Sequence, residues 1–248
     1  MDEKLILDVK KKKVLSGLPD ELVWRFLEKN NLDIKSTRSD LRKFFGVFLT
    51  NKVLKGDGES VLASHISSKD RGYKEFYNRV FENIKDVQAV IDLGCGANGF
   101  SYSYLKEVFG KINYLGVEAS GQLVDNMNKY FLENGFGNAK VVCMDLFRRM
   151  QIFNLITKSK SPKVILMLQV IDAMESVSKN SSKEFLLKLK DILNRRDFII
   201  ITMPMKSISG RKKFEADRKW LRDFLNKEFK LINEFIFGNE RIFRVRKN

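Results

Sequence analysis

The segment from Val90 to Phe100, VIDLGCGANGF, runs an apolar stretch into Gly94, Gly96 and Gly99. Glycines at this G-x-G-x-x-G spacing let a backbone turn tightly and let a ligand lie against it where a Cβ would collide. Glu118 closes the next apolar run, roughly 20 residues on, where a carboxylate accepts hydrogen bonds from two ribose hydroxyls. A third run, VVCMDLF, ends in Asp145 and Leu146, a carboxylate and a backbone N–H suited to the edge of an adenine ring. Any one of these acids serves equally well as a cap on a turn at a strand end. Both, in this order behind a glycine loop, describe a nucleoside site.

Such a site needs strands that end together. From Gln88 onward short apolar runs alternate with helical patterns, the signature of repeated βαβ units and a mainly parallel sheet. Strands are expected at Ala89 to Leu93, Tyr114 to Glu118, Lys140 to Cys143, Val164 to Leu168 and Phe198 to Thr202. Helices are expected at Tyr102 to Phe109, Gln122 to Asn134, Lys183 to Leu193 and Arg218 to Lys227. The tail, KLINEFIFGNERIFRVRK, carries two β-rich runs about Gly238 and Asn239 and reads as an antiparallel hairpin. Residues 1–85 read instead as helical. Leu22, Val23, Phe26 and Leu27 repeat at helix spacing after Pro19. Ser39 is a candidate N-cap before Leu41, Phe44, Phe45, Phe48 and Leu49, and a third stripe runs from Tyr73 to Ile84. The division expected is a basic helical region over 1–85 and an α/β domain over 86–248.

Composition bounds the partners. The 248 residues carry 46 Lys and Arg against 31 Asp and Glu, a formal charge of +15, which favours encounter with a polyanion. Basic residues among the N-terminal apolar stripes, Lys10 to Lys13, Arg38, Arg42 and Lys43, are placed where RNA would meet them. One histidine, His65, and two cysteines, Cys95 and Cys143, argue against a zinc site or a disulfide framework. No run approaches the roughly 18 apolar residues of a membrane helix, and the N-terminus lacks the features of a secretory signal. A cytoplasmic monomer with no membrane association and no metal is expected.

Asp92, two residues before Gly94, sharpens the nucleoside reading, because it suits the cationic amino and sulfonium end of S-adenosylmethionine. The loop resembles motif I of class I (Rossmann-like) methyltransferases. Two further segments resemble a particular family, the aminoglycoside-resistance 16S ribosomal RNA methyltransferases that act on N7 of a decoding-site guanine. HISSKDR, His65 to Arg71, is similar to that family's H-x-S-T-(K/R)-E-R, and MPMKSISGRKK, Met203 to Lys213, to its F-P-x-K-S-L-x-G-R. LMLQVIDAMES stands between them in place of an L-L-L-K-x-L-P-x-L-E type segment. Departures are GANG for G-L-N-P, Gln169 for Lys, Asp172 for Pro and Glu118 for Asp.

The resemblance implies a mainly parallel seven-stranded α/β sheet with a C-terminal antiparallel hairpin, and a cofactor site of His65, Arg71, Asp92, Gly94, Gly96, Glu118, Ala119, Asp145, Leu146 and Gln169. Arg71 would pair with the methionine carboxylate of S-adenosylmethionine, and S-adenosylhomocysteine would be the product. Gln169, Lys206 and Arg211 would sit at the point of methyl transfer, and Lys206, Ser207, Arg211, Lys212 and Lys213 would hold ribosomal RNA of the small subunit. A flipped base needs a stacking partner, for which Phe100, Tyr102, Tyr104 and Phe147 are candidates. Three other readings stay open: a small-molecule methyltransferase with a helical lid, a non-catalytic RNA-binding or ribosome-assembly protein with a vestigial pocket, and an NAD oxidoreductase.

Overall fold

The computed structural model describes residues 1–46, 49–65, 70–206 and 219–248. Six helices come first: α1 (Glu3–Lys10), α2 (Asp20–Lys29), α3 (Ile34–Phe44), α4 (Asn51–Lys55), α5 (Gly58–Ser64) and α6 (Tyr73–Val80). The alternating part follows as β1 (Ala89–Leu93), a 3-10 turn (Gly96–Ser101), α7 (Tyr102–Phe109), β2 (Asn113–Glu118), α8 (Gly121–Glu133) and β3 (Ala139–Cys143). It continues with α9 (Arg149–Lys158), β4 (Lys163–Leu168), α10 (Ile171–Val177), α11 (Ser181–Ile192) and β5 (Phe198–Pro204). Helix α12 (Lys219–Glu228) and the hairpin β6 (Lys230–Phe237) and β7 (Glu240–Arg246) complete it.

The seven strands form one sheet in the order β3-β2-β1-β4-β5-β7-β6, parallel except for β7, which runs antiparallel to both β5 and β6. Every residue of β1 and β4 is buried, which explains their unbroken apolar texture: both faces of these central strands are covered by helices. One face, with Val90, Leu166 and Ile200, packs on Val61, Phe76, Tyr77 and Met127 from the helices α5 to α8. The other, with Ile91, Ile165 and Ile199, packs on Ile152, Phe185 and Leu225 from α9, α11 and α12. The third glycine of the loop serves this packing, since a Cβ at Gly99 would lie 2.6 Å from Met127 Sδ on α8.

Helices α4, α5 and α6, with Leu49 and Ile84, therefore share the core of the sheet, whereas α1, α2 and α3 build a smaller core of their own around Phe26, Leu27 and Leu41 that reaches the sheet at Ala119. Arg148 reinforces the join by holding Glu21 through two hydrogen bonds of 2.5 and 2.6 Å. The expected cap at Ser39 is corrected. Asp33 caps α3 instead, accepting from the Ser36 N–H at 2.8 Å, so Ser39 lies inside the helix. Phe48 of the same stripe, and Arg218 at the expected start of α12, fall outside the described residues. No helix among the described residues is long and apolar enough to cross a membrane.

Phe26 is fully buried, with its ring 6.3 and 6.2 Å from those of Phe44 and Phe45. Phe26→Ala is expected to cost roughly 3–5 kcal/mol in urea unfolding, the usual sum of lost burial and residual cavity. A loss under about 1 kcal/mol would show that α1 to α3 do not form a packed core.

Candidate active site at the switch point of the sheet

Strand order reverses between β1 and β4, so the connections leaving their C-terminal ends diverge and open a crevice, where ligands of open α/β sheets bind. The crevice here holds a cavity of about 140 Å³ lined by His65, Arg71, Gly94, Gly96, Asn98, Glu118, Gln169 and Val170, among others. Gly94, at the end of β1, has φ +67, and a Cβ there would lie 2.7 Å from Val170 Cγ2. At the end of β4 Gln169 also adopts a left-handed φ of +58, a conformation that costs a non-glycine residue about 1–3 kcal/mol. Its N–H donates to the Thr202 carbonyl at 3.0 Å, which ties this turn to β5.

Arg71 occupies one end. It precedes α6, is buried, and lies over the rings of Tyr73 and Phe76. Its Nε donates to Glu240 Oε1 at 2.8 Å, and Nη1 donates to Asn98 Oδ1 at 3.3 Å. Thr202 Oγ1 donates to the other oxygen of Glu240 at 2.5 Å. Burial works against the charge of Arg71, but the Glu240 carboxylate more than offsets it and holds the guanidinium protonated. Asp92 does not line the cavity. Its Oδ2 accepts from Asn98 Nδ2 at 2.6 Å and from the Tyr114 hydroxyl at 3.0 Å, so it braces the residue that braces Arg71. Burial pushes the Asp92 carboxyl up to about 6, against the hydrogen bonds from Asn98 and Tyr114 and the charge of Arg71. Burial and the same Arg71 charge depress His65 to about 4, which leaves its imidazole neutral at physiological pH.

Glu118 stands midway. Its Oε2 accepts from the Gly96 N–H at 3.0 Å and its Oε1 from the Ser120 N–H at 2.8 Å, leaving each oxygen a further lone pair. Burial raises its pKa, opposed by those N–H groups and that of Ala119. Beyond it lies a narrower slot of about 60 Å³ lined by Leu22, Phe45, Ala119, Asp145, Leu146, Phe147 and Val170, among others. Asp145 Oδ1 accepts from the Phe147 N–H at 2.7 Å, while its Oδ2 is buried with no hydrogen-bond partner. A buried carboxylate oxygen without a donor is costly, and burial accordingly raises the Asp145 pKa. An amino group entering the slot would satisfy it.

The structure thus gathers His65, Arg71, Gly94, Gly96, Glu118 and Gln169 around one cavity and Ala119, Asp145 and Leu146 around the adjoining slot. Lys206 is exposed just after β5. Ser207, Arg211, Lys212 and Lys213 lie outside the described residues, as do four of the seven residues of HISSKDR. Of the aromatic candidates, Phe100 and Tyr102 are buried in the core, where the Tyr102 hydroxyl donates to the Ile112 carbonyl, so neither ring is available to a flipped base. Tyr104 donates to Glu59 and stacks on Tyr73. Phe147 alone of the four lines the cleft. Sequence reading missed Glu240 and Asn98 beside Arg71, and Phe44, Phe45 and Leu49, by which the N-terminal part walls the cavity. The basic apolar stripe from Leu41 was the available signal for the last three, but it reads equally as core.

Fold and cleft are those of a class I, Rossmann-like methyltransferase. An rRNA methylase from Escherichia coli superposes with a TM-score of 0.76 at 18% identity, covering 99% of each chain. The 16S rRNA methyltransferase RmtF, solved in complex with S-adenosyl-L-homocysteine, superposes at 0.74 and 19% identity over 100% of each. In sequence, 16S rRNA (guanine(1405)-N(7))-methyltransferases of Micromonospora echinospora and Micromonospora rosea are each 22% identical over 241 residues, covering 86% of this chain and 82% of theirs. The family model for ribosomal RNA methyltransferase (FmrO) matches residues 50–220, and the chain belongs to that family.

Two outcomes follow from the charges in the cleft. Glu240→Ala strands a buried guanidinium and is expected to cost roughly 3–5 kcal/mol in urea unfolding; a near-neutral result would mean that Arg71 does not depend on the pair. His65, protonating near 6.5 when unfolded but near 4 when folded, withdraws stability as pH falls through that window, because the unfolded chain takes up the proton first. His65→Gln should therefore lose about 2–3 kcal/mol less than the unsubstituted protein between pH 7 and 4.5. Equal losses would show that the imidazole is not held neutral.

Proposed function

We propose that the chain transfers the methyl group of S-adenosylmethionine to ribosomal RNA, at N7 of a guanine in the decoding site of the small subunit. The observation that carries this reading is a single cleft with opposite recognition chemistry at its ends. A guanidinium fixed by Glu240 and Asn98 lies at one end, and the buried, unbonded Asp145 oxygen in an apolar slot lies at the other. An amino-acid carboxylate suits the first, an adenine amino group the second, and ribose hydroxyls suit the Glu118 carboxylate between them. S-adenosylmethionine carries these groups in that order, and when bound it supplies a methyl activated by its sulfonium centre.

The work left to the protein is placement. Arg71 holds a carboxylate, Glu118 accepts from hydroxyls, and Asp145 with the Leu146 N–H reads a purine edge. Phe45, Leu123 and Val170 keep water from the cavity they line. Gln169, at the cavity wall beyond β4, stands where the target base must approach, and Lys206, Ser207, Arg211, Lys212 and Lys213 are assigned to the nucleotide and its phosphates. A ring nitrogen such as guanine N7 offers a lone pair with no proton to remove, so alignment and desolvation suffice without a general base. The neutral, buried His65 is consistent with that economy.

The region 1–85 is proposed to dock on folded RNA while lending His65 and Arg71 to the cleft, and the region 86–248 to supply the rest of the transfer site, in a cytoplasmic monomer whose product protects the ribosome from aminoglycosides. The matches to guanine-N7 enzymes over 86% of the chain and the +15 charge support RNA over a small-molecule acceptor.

Incubation with tritiated S-adenosylmethionine and small ribosomal subunits is expected to label 16S rRNA, at a position read by reverse-transcription stops. Arg71→Ala should weaken cofactor binding in calorimetry by roughly 10- to 100-fold, the worth of a charge-assisted hydrogen bond. Label confined to protein or small molecules would exclude the substrate assigned here.

A further inference from the structure

Arg244 and Arg246 on β7 take no part in the cleft. Arg244 is only 5% exposed and Arg246 is half-buried, and the Nε of each is buried with no hydrogen-bond partner. Neither forms an ion pair among the described residues. They share the face of β7 that carries Ile242, turned toward α6, and their surroundings are strongly cationic. Arg79 on α6 pairs with Glu82, and Arg196 pairs with Asp86 at 3.5 Å. Four guanidiniums thus meet two carboxylates, and both carboxylates are already engaged.

Burial pushes the Arg244 pKa down; Glu82 opposes this, while Arg79 and Arg246 add to it. Arg246 is depressed by burial and then by Arg196. An N–H donor removed from water without an acceptor is costly, and buried N–H donors are almost always satisfied. The side chains are nonetheless held in place. The Arg246 guanidinium lies over the Phe198 ring, 3.7 Å from its centroid, and Arg79 lies 4.8 Å over Phe235. Planar forks stacked on rings and carrying unmet donors suit a tetrahedral oxyanion better than a solvated surface does.

We propose that Arg244 and Arg246, flanked by Arg79 and Arg196, form a phosphate-binding site separate from the methyl-transfer cleft. Arg244 pairs with Ile200 and Arg246 covers Phe198, so the site lies where β5 begins, whereas the cleft lies where the parallel strands end. The ligand is a phosphate oxyanion, supplied either by an RNA backbone or as free phosphate.

Thermal unfolding of the full chain in inorganic phosphate, against chloride of equal ionic strength, reads the site without reference to the substrate. A saturable rise in Tm is expected for the unsubstituted protein and not for Arg244→Met or Arg246→Gln, both of which should bind S-adenosylmethionine normally. In phosphate-free buffer Arg244→Met should melt no lower than the parent, since it removes an unpaired buried charge. The source is read from affinity for small ribosomal subunits against salt, an arm that alone rests on the proposed substrate. If RNA supplies the phosphate, the doubly substituted chain flattens the log–log slope by about 0.9, the value for one phosphate contact. If free phosphate is the ligand, the slope stays as it was while the phosphate-specific rise is lost. Equal stabilisation by phosphate and chloride, or a phosphate-free Arg244→Met protein that melts well below its parent, would overturn the proposal. Should Arg244→Met not fold, the half-buried Arg246→Gln carries the same readouts.

Discussion

The cleft depends on one buried ion pair. Arg71 and Glu240 are 169 residues apart in sequence and both nearly inaccessible, yet Nε and Oε1 lie 2.8 Å apart. Such a pair adds little net stability, because desolvation of two charges consumes most of the attraction between them. What it does add is position. Glu240 takes the Nε edge of the guanidinium, Asn98 takes Nη1, and the rings of Tyr73 and Phe76 fix its plane, so the cation enters the cavity in one orientation. The C-terminal hairpin is thereby part of the site: β7 reverses direction beside β5 and so brings its first residue, Glu240, opposite Pro204 at the end where the cleft opens.

The N-terminal helices bear on the same cavity from the other side. Phe45 lines both the cavity and the slot, and Leu22 on α2 lines the slot. Arg25 lies 5.4 Å over the Phe147 ring, which closes the slot's far wall. A region rich in basic residues therefore shares side-chain contacts with the slot beside Glu118. Anything that shifts α2 or α3 changes the walls of that slot, and by thermodynamic reciprocity a ligand in the slot changes the response of α2 and α3.

Local chemistry was legible in the chain; long-range partnership was not. The glycine loop, Glu118 and Asp145 each sit at a strand end, and strand ends follow from apolar runs of five or six residues. Even so, Asp92 in the same motif turned out to brace Asn98 from behind the wall, because alternation along β1 sets only which face a residue takes and not what lies against it. Phe100 and Tyr102 are candidate stacking partners by sequence, but aromatic type and spacing are the same for a stacking platform and for a core, and these two fill the core between α7 and α8. Asp33 displaced Ser39 as the cap of α3 because either residue caps well and only the start of the helix decides between them. Helix α10, seven residues long and partly buried, left too few turns for a period to show.

Thr202 shows how these pieces act together. Its carbonyl accepts from the N–H of Gln169, whose left-handed backbone would otherwise relax, and its hydroxyl donates to Glu240. One residue of β5 thus joins the turn beyond β4 to the carboxylate that orients Arg71. Only the second involves a charge, that of Glu240, and both are buried in a sheet whose neighbouring strands are in full register. A strained turn persists only where its surroundings over-determine it. Here the sheet supplies that constraint, and the same hydrogen-bonded chain that holds Gln169 in place also fixes its position relative to Glu240 and, through Glu240, to Arg71.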